Sequence, residues 1–236
     1  MGGETAAIDR LAAESLIQWW QEAGVDVAVG ETPRDWLKRA SPRVAPDPAT
    51  VSNVSELSHE TLSELRDWLA NSAQLPMAFA TARRILPHGP EDAAVMLLSD
   101  APALEDFASN QPIGGEAWKL AGKMLAAIGI RSDQAYSASL SCFHAPGTRM
   151  NDYDRAACAQ IARRHIALAR PKRLILFGDA PARALLGEPL TRARGRVHRI
   201  EGVRTVATFH PRWLLQRPSD KALAWRDLLL LMSEDD

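Results

Sequence analysis

The stretch Thr205–Leu229, TVATFHPRWLLQRPSDKALAWRDLL, contains a strand pattern, a turn and a helix pattern in direct succession. Pro211 predicts that the strand ends beside His210, because proline cannot donate a hydrogen bond to a sheet. A basic and apolar loop is expected next, followed by an amphipathic helix capped by Ser219. A histidine at a strand end is either a satisfied core residue or a functional group, and the residue types alone leave both open.

Upstream of this stretch, from residue 93 onward, strand and helix patterns alternate along the chain. Continuous apolar runs predict three buried strands before the one that ends at His210. These runs lie at 94–98, 135–140 and 174–177, with the fourth strand at 205–209. The alternation predicts an α/β fold, a three-layer α/β/α sandwich with a four-stranded parallel sheet, preceded by N-terminal helices.

The N-terminal part has a different composition. Residues 6–24 have the apolar spacing of a helix, and residues 30–55 are rich in Pro, Ser, Asp and Thr. We therefore expect residues 1–57 to form a helical extension with a linker, and residues 58–236 to form the main domain. The paired residues Trp19 and Trp20 leave open that the extension docks a partner protein.

The overall composition excludes several classes of protein. The chain has 46% hydrophobic and 24% charged residues, as soluble globular proteins do. No apolar run approaches the ~18 residues of a membrane helix, and the first ten residues lack a signal-peptide layout. Two cysteines cannot form a disulfide framework. We expect a cytoplasmic monomer with no membrane partner.

Charge is distributed unevenly along the chain. Residues 160–226 contain fifteen Lys and Arg and four Asp and Glu, whereas residues 1–60 contain five and ten. Such a local excess favours binding of a polyanion. An arginine-rich solvated surface is the alternative interpretation.

The loops after the four predicted strands are expected to meet at one edge of the sheet. In parallel sheets the functional loops lie beyond the carboxyl ends of the strands. The loops contain SDAPALED from 99, SCFHAPG from 141, FGDAP from 177 and HPRWLL from 210. This convergence favours a functional role for His210.

From residue 92 to the end, about 145 residues, these motifs resemble the uracil-DNA glycosylase superfamily, most closely its family-four, iron–sulfur branch. Ser99–Ala103 occupies the position of a GEAPG-type turn and is followed by two acids, as in the family. QPIGG at 111–115 matches an RPFVG stretch, and the segment from His210 is similar to the family's last motif nearly throughout. The resemblance implies base excision repair, in which a hydrolase flips uracil or another deaminated base out of DNA and breaks its N-glycosidic bond.

The resemblance also implies residue roles. Catalysis would fall to His210, as a donor to the leaving base, and to Asp100, in place of a glutamate, as the group that places the attacking water. The substrate pocket would be lined by Ser99, Ala101, Pro102, Ala103, Ile113, Ala138 and Ser139. The expected partner is DNA, single-stranded or uracil-containing, and the residues that would hold it are Pro211, Arg212, Trp213, Leu214 and Arg217. Leu214 or Trp213 would be the wedge that fills the space left by the flipped nucleotide. The two arginines would bind phosphates.

The chain departs from the family at the iron–sulfur site. The family holds a four-iron cluster through four cysteines. Cys142 and Cys158 occupy the last two positions, but the first two fall near Ser72 and Leu75. We therefore predict no iron–sulfur cluster, no metal and no other cofactor, with both cysteines buried.

The base pocket departs as well. By the resemblance, Ile113 replaces a phenylalanine that stacks on the base. The asparagine that reads the base falls near Ala138, with Ser139 beside it as a polar substitute without an amide. An active but divergent glycosylase and a catalytically impaired DNA-binding paralogue both remain open, with a protein-interaction scaffold as a third class. His144, His165 and His198 are expected to be ordinary surface or loop residues.

Overall fold

A five-stranded sheet lies at the centre of the main domain in the order β2-β1-β3-β5-β4. The computed structural model describes residues 59–78, 83–144 and 150–233. The strands are β1 (Val95–Ser99), β2 (Ala135–Ser139), β3 (Arg173–Phe177), β4 (His198–Ile200) and β5 (Val203–Thr208). The α/β fold class is confirmed, and the four expected strands are parallel to one another. The short β4 is an additional antiparallel strand at the edge beside β5.

The helices alternate with these strands. They are α1 (Leu62–Asn71), α2 (Gly115–Ala127), α3 (Asp152–Ala169), α4 (Asp179–Leu186), α5 (Leu190–Ala193), α6 (Pro211–Gln216) and α7 (Lys221–Met232). The segment after His210, expected to be a loop, is helix α6, and α7 begins after Asp220 rather than at a Ser219 cap. Among the described residues, no helix has the length and apolar character needed to cross a membrane.

Both faces of the sheet are covered, because successive side chains of a strand point to opposite faces. Met96 and Leu98 of β1 belong to one core cluster, which contains side chains of α3, α4 and α5. Val95 and Leu97 belong to a second cluster with side chains of α2 and α7. The result is the three-layer arrangement expected from the sequence.

A smaller apolar cluster lies under α1. Leu65 and Leu69 pack there with Leu75, Cys142 and other buried side chains. Arg84 fastens the end of α1 by donating to the carbonyl oxygens of Leu69, Ala70 and Ser72 at 2.9, 2.7 and 2.6 Å. The expected N-terminal extension, with Trp19 and Trp20, lies outside the described residues.

The carboxyl ends of the four parallel strands lie at one edge of the sheet. The chain passes from β1 to β2 on one side, whereas β3 pairs with β1 on the other side. Open α/β sheets bind ligands outside the strand ends at such a reversal. The described residues that follow β1, β2, β3 and β5 lie at this edge of the sheet, which is called the crevice below.

Candidate active site

His210 lies just beyond β5 and forms the N-cap of α6. Its Nδ1 atom accepts a hydrogen bond from the backbone N–H of Arg212 at 3.0 Å. An imidazolium carries a proton on both nitrogens, so this bond requires a neutral ring with its proton on Nε2. Burial, and secondarily the Arg212 guanidinium, lowers the pKa of His210 to about 3. The ring is therefore neutral at physiological pH.

The Nε2 atom of His210 is buried and has no hydrogen-bond partner among the described residues. The edge of the ring packs against Phe177, with 5.8 Å between the ring centroids. Beside it, Gly178 has a φ of +98°, and its N–H donates to the Thr208 carbonyl oxygen at 2.9 Å. Leaving a buried donor unpaired costs about 1–3 kcal/mol. The Nε2–H group is thus a positioned donor available to a ligand.

Asp100 lies after β1 and interacts electrostatically with Arg212 and Asp179. The residue is exposed at the surface. Partial burial of its carboxyl group raises the pKa, the Arg212 guanidinium opposes the rise and Asp179 adds to it. Further covering of the carboxyl group would raise its pKa more.

The turn after Asp100 is held from two sides. The carbonyl oxygen of Pro102 accepts a hydrogen bond from His144 Nδ1 at 2.6 Å, and the N–H of Ala103 donates to Asp106 Oδ2 at 2.7 Å. His144 also packs edge-on against Phe107. Sequence reasoning gave His144 no role, although its place in the SCFHAPG loop put it at the same sheet edge. Its contact with Pro102 makes it part of the support of the site.

Asp106 joins the turn to helix α6. Its carboxylate is fully buried and also accepts hydrogen bonds from the Gly114 N–H at 2.6 Å and from the Arg212 guanidinium. A Cβ at Gly114 would lie 3.1 Å from Asp106 Oδ1 and 2.4 Å from Ser109 Oγ, so the approach requires glycine. The sequence indicated an acid here but not its burial, because the partners are distant in the chain.

The side of the crevice formed by β2 has few polar side chains among the described residues. Ser99 and Ser139 are paired across β1 and β2, and their hydroxyl oxygens are 3.2 Å apart. Ile113 and Ala138 are both 0% exposed and belong to the two apolar cores. The prediction that these two residues line the pocket is therefore corrected, since neither has surface for a base to contact.

Helix α6 decides which side chains after His210 reach the surface. Leu214 is 1% exposed and Pro211 is buried, so the prediction that they contact DNA is corrected. Leu215 is 42% exposed instead. Sequence reasoning missed Leu215 because it assumed a loop, whereas helical spacing places adjacent residues on different sides.

Trp213 is exposed but held in place. Its ring stacks on Phe209 at an interplanar angle of 10°, and the Arg217 guanidinium lies 4.5 Å from its centroid. Its Nε1–H donates to Asp220 Oδ2 at 2.7 Å. Both Trp213 and Arg217 thus lie at the surface beside the crevice, and their contact with DNA stays a prediction.

A second buried carboxylate braces the end of β5. Asp227 of α7 accepts hydrogen bonds from Thr208 Oγ1 at 2.8 Å, the Gly195 N–H at 3.0 Å and Arg194 Nη2 at 3.1 Å. Burial raises the pKa of this carboxyl, while the Thr208 and Arg194 contacts oppose the rise. Since Thr208 lies two residues before His210, Asp227 fixes the point from which the imidazole projects.

Cys142 and Cys158 are buried free thiols that line a cavity of about 20 Å³, enough for a single water. Leu69 and Leu75 line the same cavity. Burial raises the pKa of Cys142 to about 11 and that of Cys158 to about 12, so both are protonated. No cluster of three or more metal-ligating side chains occurs among the described residues. This donor set does not fit a four-iron cluster, and the absence of a cofactor stays a prediction.

His165, which was expected to be a surface or loop residue, is buried and also lines that cavity. It is 3% exposed on α3, and its Nε2 atom lies 2.8 Å from the Tyr136 hydroxyl. Burial lowers the pKa of His165 to about 4, so the ring that is hydrogen-bonded to the tyrosine is neutral at physiological pH. His198 in β4 is half-buried and donates to the Ala193 carbonyl oxygen at 2.7 Å. Neither histidine takes part in the crevice.

Comparisons with known proteins agree with this geometry. The model of the uracil DNA glycosylase superfamily matches residues 86–229. The type-4 uracil-DNA glycosylase of Pyrobaculum aerophilum is 24% identical over 180 residues, which cover 72% of this chain and 92% of the relative. That of Archaeoglobus fulgidus is 26% identical over 141 residues, covering 55% and 71%. The family match spans more than half of the sequence, and with His210, Asp100 and their loops at one sheet edge, the chain belongs to the uracil-DNA glycosylase superfamily.

Proposed function

We propose that this chain is a DNA glycosylase of base excision repair that removes uracil or another deaminated base from DNA. The observation that carries the proposal is the buried Nε2–H of His210, a neutral donor with no partner among the described residues. Both relatives carry names that refer to release of uracil from DNA. The expected place of action is the nucleoid in the cytoplasm.

His210 acts on the leaving base. When the N-glycosidic bond breaks, its electron pair moves to the base, and negative charge develops on a carbonyl oxygen of uracil. A donor held in a water-poor site stabilises such charge by several kcal/mol. The low pKa of His210 means that it donates a hydrogen bond and does not deliver a second proton.

Asp100 acts on the sugar. Its carboxylate faces the positive charge that develops at C1′ and orients a water for attack there. Addition of this water, with loss of its proton to the carboxylate or solvent, leaves a free base and an abasic site. His210 and Asp100 come from loops on β5 and β1, so they approach the bond from different sides of the crevice.

DNA is held beside the crevice by Arg217 and Trp213, and Leu215 fills the space of the extruded nucleotide. Extrusion costs a few kcal/mol, which phosphate contacts and an apolar wedge offset. Leu215 takes the wedge role expected of Leu214 or Trp213, because its side chain is exposed. The arginine-rich segment from 160 to 226 supplies the surrounding positive field.

A catalytically impaired DNA-binding protein is the second candidate. The burial of Ala138 in an apolar core favours it, because no amide stands at that position to read a base edge. A site that reads a base by hydrogen bonds rejects other bases by leaving polar groups unpaired, and that discrimination is reduced here.

The two candidates are separated by an assay of base release from single-stranded oligonucleotides that contain one uracil or one hypoxanthine, with a thymine–guanine mismatch duplex as a third substrate. We expect alkali-labile sites with at least one of them. His210→Ala should lower the single-turnover rate about 10²–10³-fold, since alanine has no side-chain donor for the developing oxyanion.

His198→Ala is the matched control, because His198 lies in β4 and outside the crevice. It should release base at the wild-type rate. Retention of DNA without release of any base by the wild-type protein would establish the second candidate. Failure to retain DNA at low salt would overturn both and leave the protein-interaction class.

A further inference from the structure

Arg212 was expected from the sequence to hold a phosphate, but its guanidinium is already engaged by two carboxylates. Its Nε donates to Glu105 Oε1 at 2.6 Å, and its Nη2 donates to the buried Asp106. The side chain is 22% exposed. With two anions around one cation the cluster carries net negative charge, which repels a phosphate.

The contacts of Arg212 join the two halves of the crevice. Through Asp106 its side chain is linked to the N–H groups of Ala103, in the turn after Asp100, and of Gly114. Through its own backbone N–H it holds Nδ1 of His210. One residue thus touches both the support of the turn after β1 and the imidazole after β5.

We infer that Arg212 is a positioning residue, which with Asp106 and Glu105 locks helix α6 to the β1 loop and so fixes His210 relative to Asp100. Phosphate contact then belongs to Arg217, whose guanidinium lies on Trp213 at an exposed position. The inference rests on the proposed function, since it assigns roles within the same site. A displacement of about 1 Å in such a constellation lowers rates about 100-fold.

Arg212→Lys distinguishes the two roles. Lysine binds phosphate as a point charge but cannot reproduce the two-pronged guanidinium contact with separate carboxylates. We expect this variant to bind a fluorescent single-stranded oligonucleotide with an unchanged salt dependence and to release base at least 10-fold more slowly at saturating DNA. Arg226→Lys, at an exposed position of α7, should match the wild type in both measurements.

The salt dependence of DNA binding is a second test of the role of Arg212. Arg217→Met should reduce the slope of log K against log salt by about one, whereas Arg212→Met should leave it unchanged. A reduced slope for Arg212→Met, or a normal release rate for Arg212→Lys, would overturn the inference. Glu105→Gln, which removes only the exposed carboxylate, should slow release less than Arg212→Lys.

Nitrogen-15 NMR of the histidine side chains keeps the inference testable if no base is released. The wild-type His210 should show the neutral Nε2–H form well below pH 6, because its pKa is about 3. In Arg212→Lys the backbone N–H of residue 212 still binds Nδ1, so the tautomer should remain. The side-chain nitrogen shifts of His210 and the amide shifts of Ala103 and Gly114 should nevertheless change together, because the side chain of residue 212 no longer joins α6 to Asp106. Unchanged shifts at all three residues would overturn the positioning role, whether or not the proposed glycosylase activity exists.

Discussion

The two sides of the crevice have opposite character. On the β5 side, a neutral imidazole, an arginine between two carboxylates and a stacked tryptophan are held in place, and the hydrogen bonds of His210 Nδ1, Arg212 Nε and Trp213 Nε1 are 2.6–3.0 Å long. On the β2 side, Ala138 is buried in an apolar core and the thiols of Cys142 and Cys158 line a small cavity with leucines. Polar groups in fixed contacts therefore lie on the β5 side, whereas the β2 side is packed with apolar side chains and thiols. Polar contacts that depend on fixed geometry tolerate little change, whereas apolar positions tolerate substitution if the total volume is preserved.

Each side also contains one buried neutral histidine, and their protonation should give the largest effect on stability. The pKa of His165 is lowered by burial to about 4 and that of His210 to about 3, against 6.5 in the unfolded chain. Between these values the unfolded chain binds more protons, so the free energy of unfolding falls as the pH decreases below about 6.5. For His165 alone the full loss by pH 4 is about 3 kcal/mol.

Urea unfolding at pH 7.5, 5.5 and 4.5 measures this loss, and His165→Gln should flatten the curve. His198→Gln, at a half-buried histidine that already has a partner, serves as the control and should keep the wild-type slope. If the His165→Gln curve runs parallel to that of the wild type, His165 is not held neutral in the fold. The pH dependence of base release should be unaffected by His165→Gln, because that ring lies outside the crevice.

Ala138→Asn probes whether the β2 side has lost its capacity to read a base. The new amide would enter an apolar cluster, so we expect the free energy of unfolding to fall by about 1–3 kcal/mol, without faster release of uracil. Ser139→Asn is the matched control, since Ser139 is half-buried at the end of β2. Ser139→Asn should lower the free energy of unfolding less than Ala138→Asn does, because the amide at position 139 can reach water. Full stability of Ala138→Asn together with sharper preference for uracil would show that the pocket is intact and lacks only its amide.

The parallel strands and the place of His210 followed from the sequence because both depend on local patterns. Continuous apolar runs specify buried parallel strands, and the carboxyl edge of such a sheet is where loops converge. The short strand β4 escaped prediction because its three residues, His198–Ile200, have no apolar run and pair through the sheet alone. Tertiary pairing, rather than propensity, forms such strands.

The contacts that hold the site residues in place could not be predicted from the sequence, because they too depend on tertiary structure. Asp106 and Arg212 are 106 residues apart, and nothing in either segment indicates that they meet. Leu214 and Leu215 are the same residue type, and only the helical turn that begins at Pro211 buries the first and exposes the second. The strand ends and the candidate residues beside them could thus be predicted from the sequence, while the contacts that orient those residues required the fold.

The smallest expected effect on stability comes from replacing the two cysteines, which lie on the β2 side. In a cluster protein, loss of a ligand releases the metal and unfolds the region, because metal binding supplies folding energy. Here each thiol is a small buried group in an apolar surrounding. We therefore expect Cys142→Ala and Cys158→Ala to lower the free energy of unfolding by only about 1 kcal/mol each, the cost of removing one buried heavy atom.

Urea unfolding measures these variants, and iron analysis of the freshly purified protein measures the cofactor directly. A chelator should leave the midpoint of thermal unfolding unchanged in the wild type and in both variants. Leu75→Ala, which enlarges the same cavity, should cost about 2–5 kcal/mol and so exceed either cysteine change. Four irons per chain, or unfolding of both cysteine variants, would contradict the contrast between the two sides, because the β2 side would then hold a metal cluster.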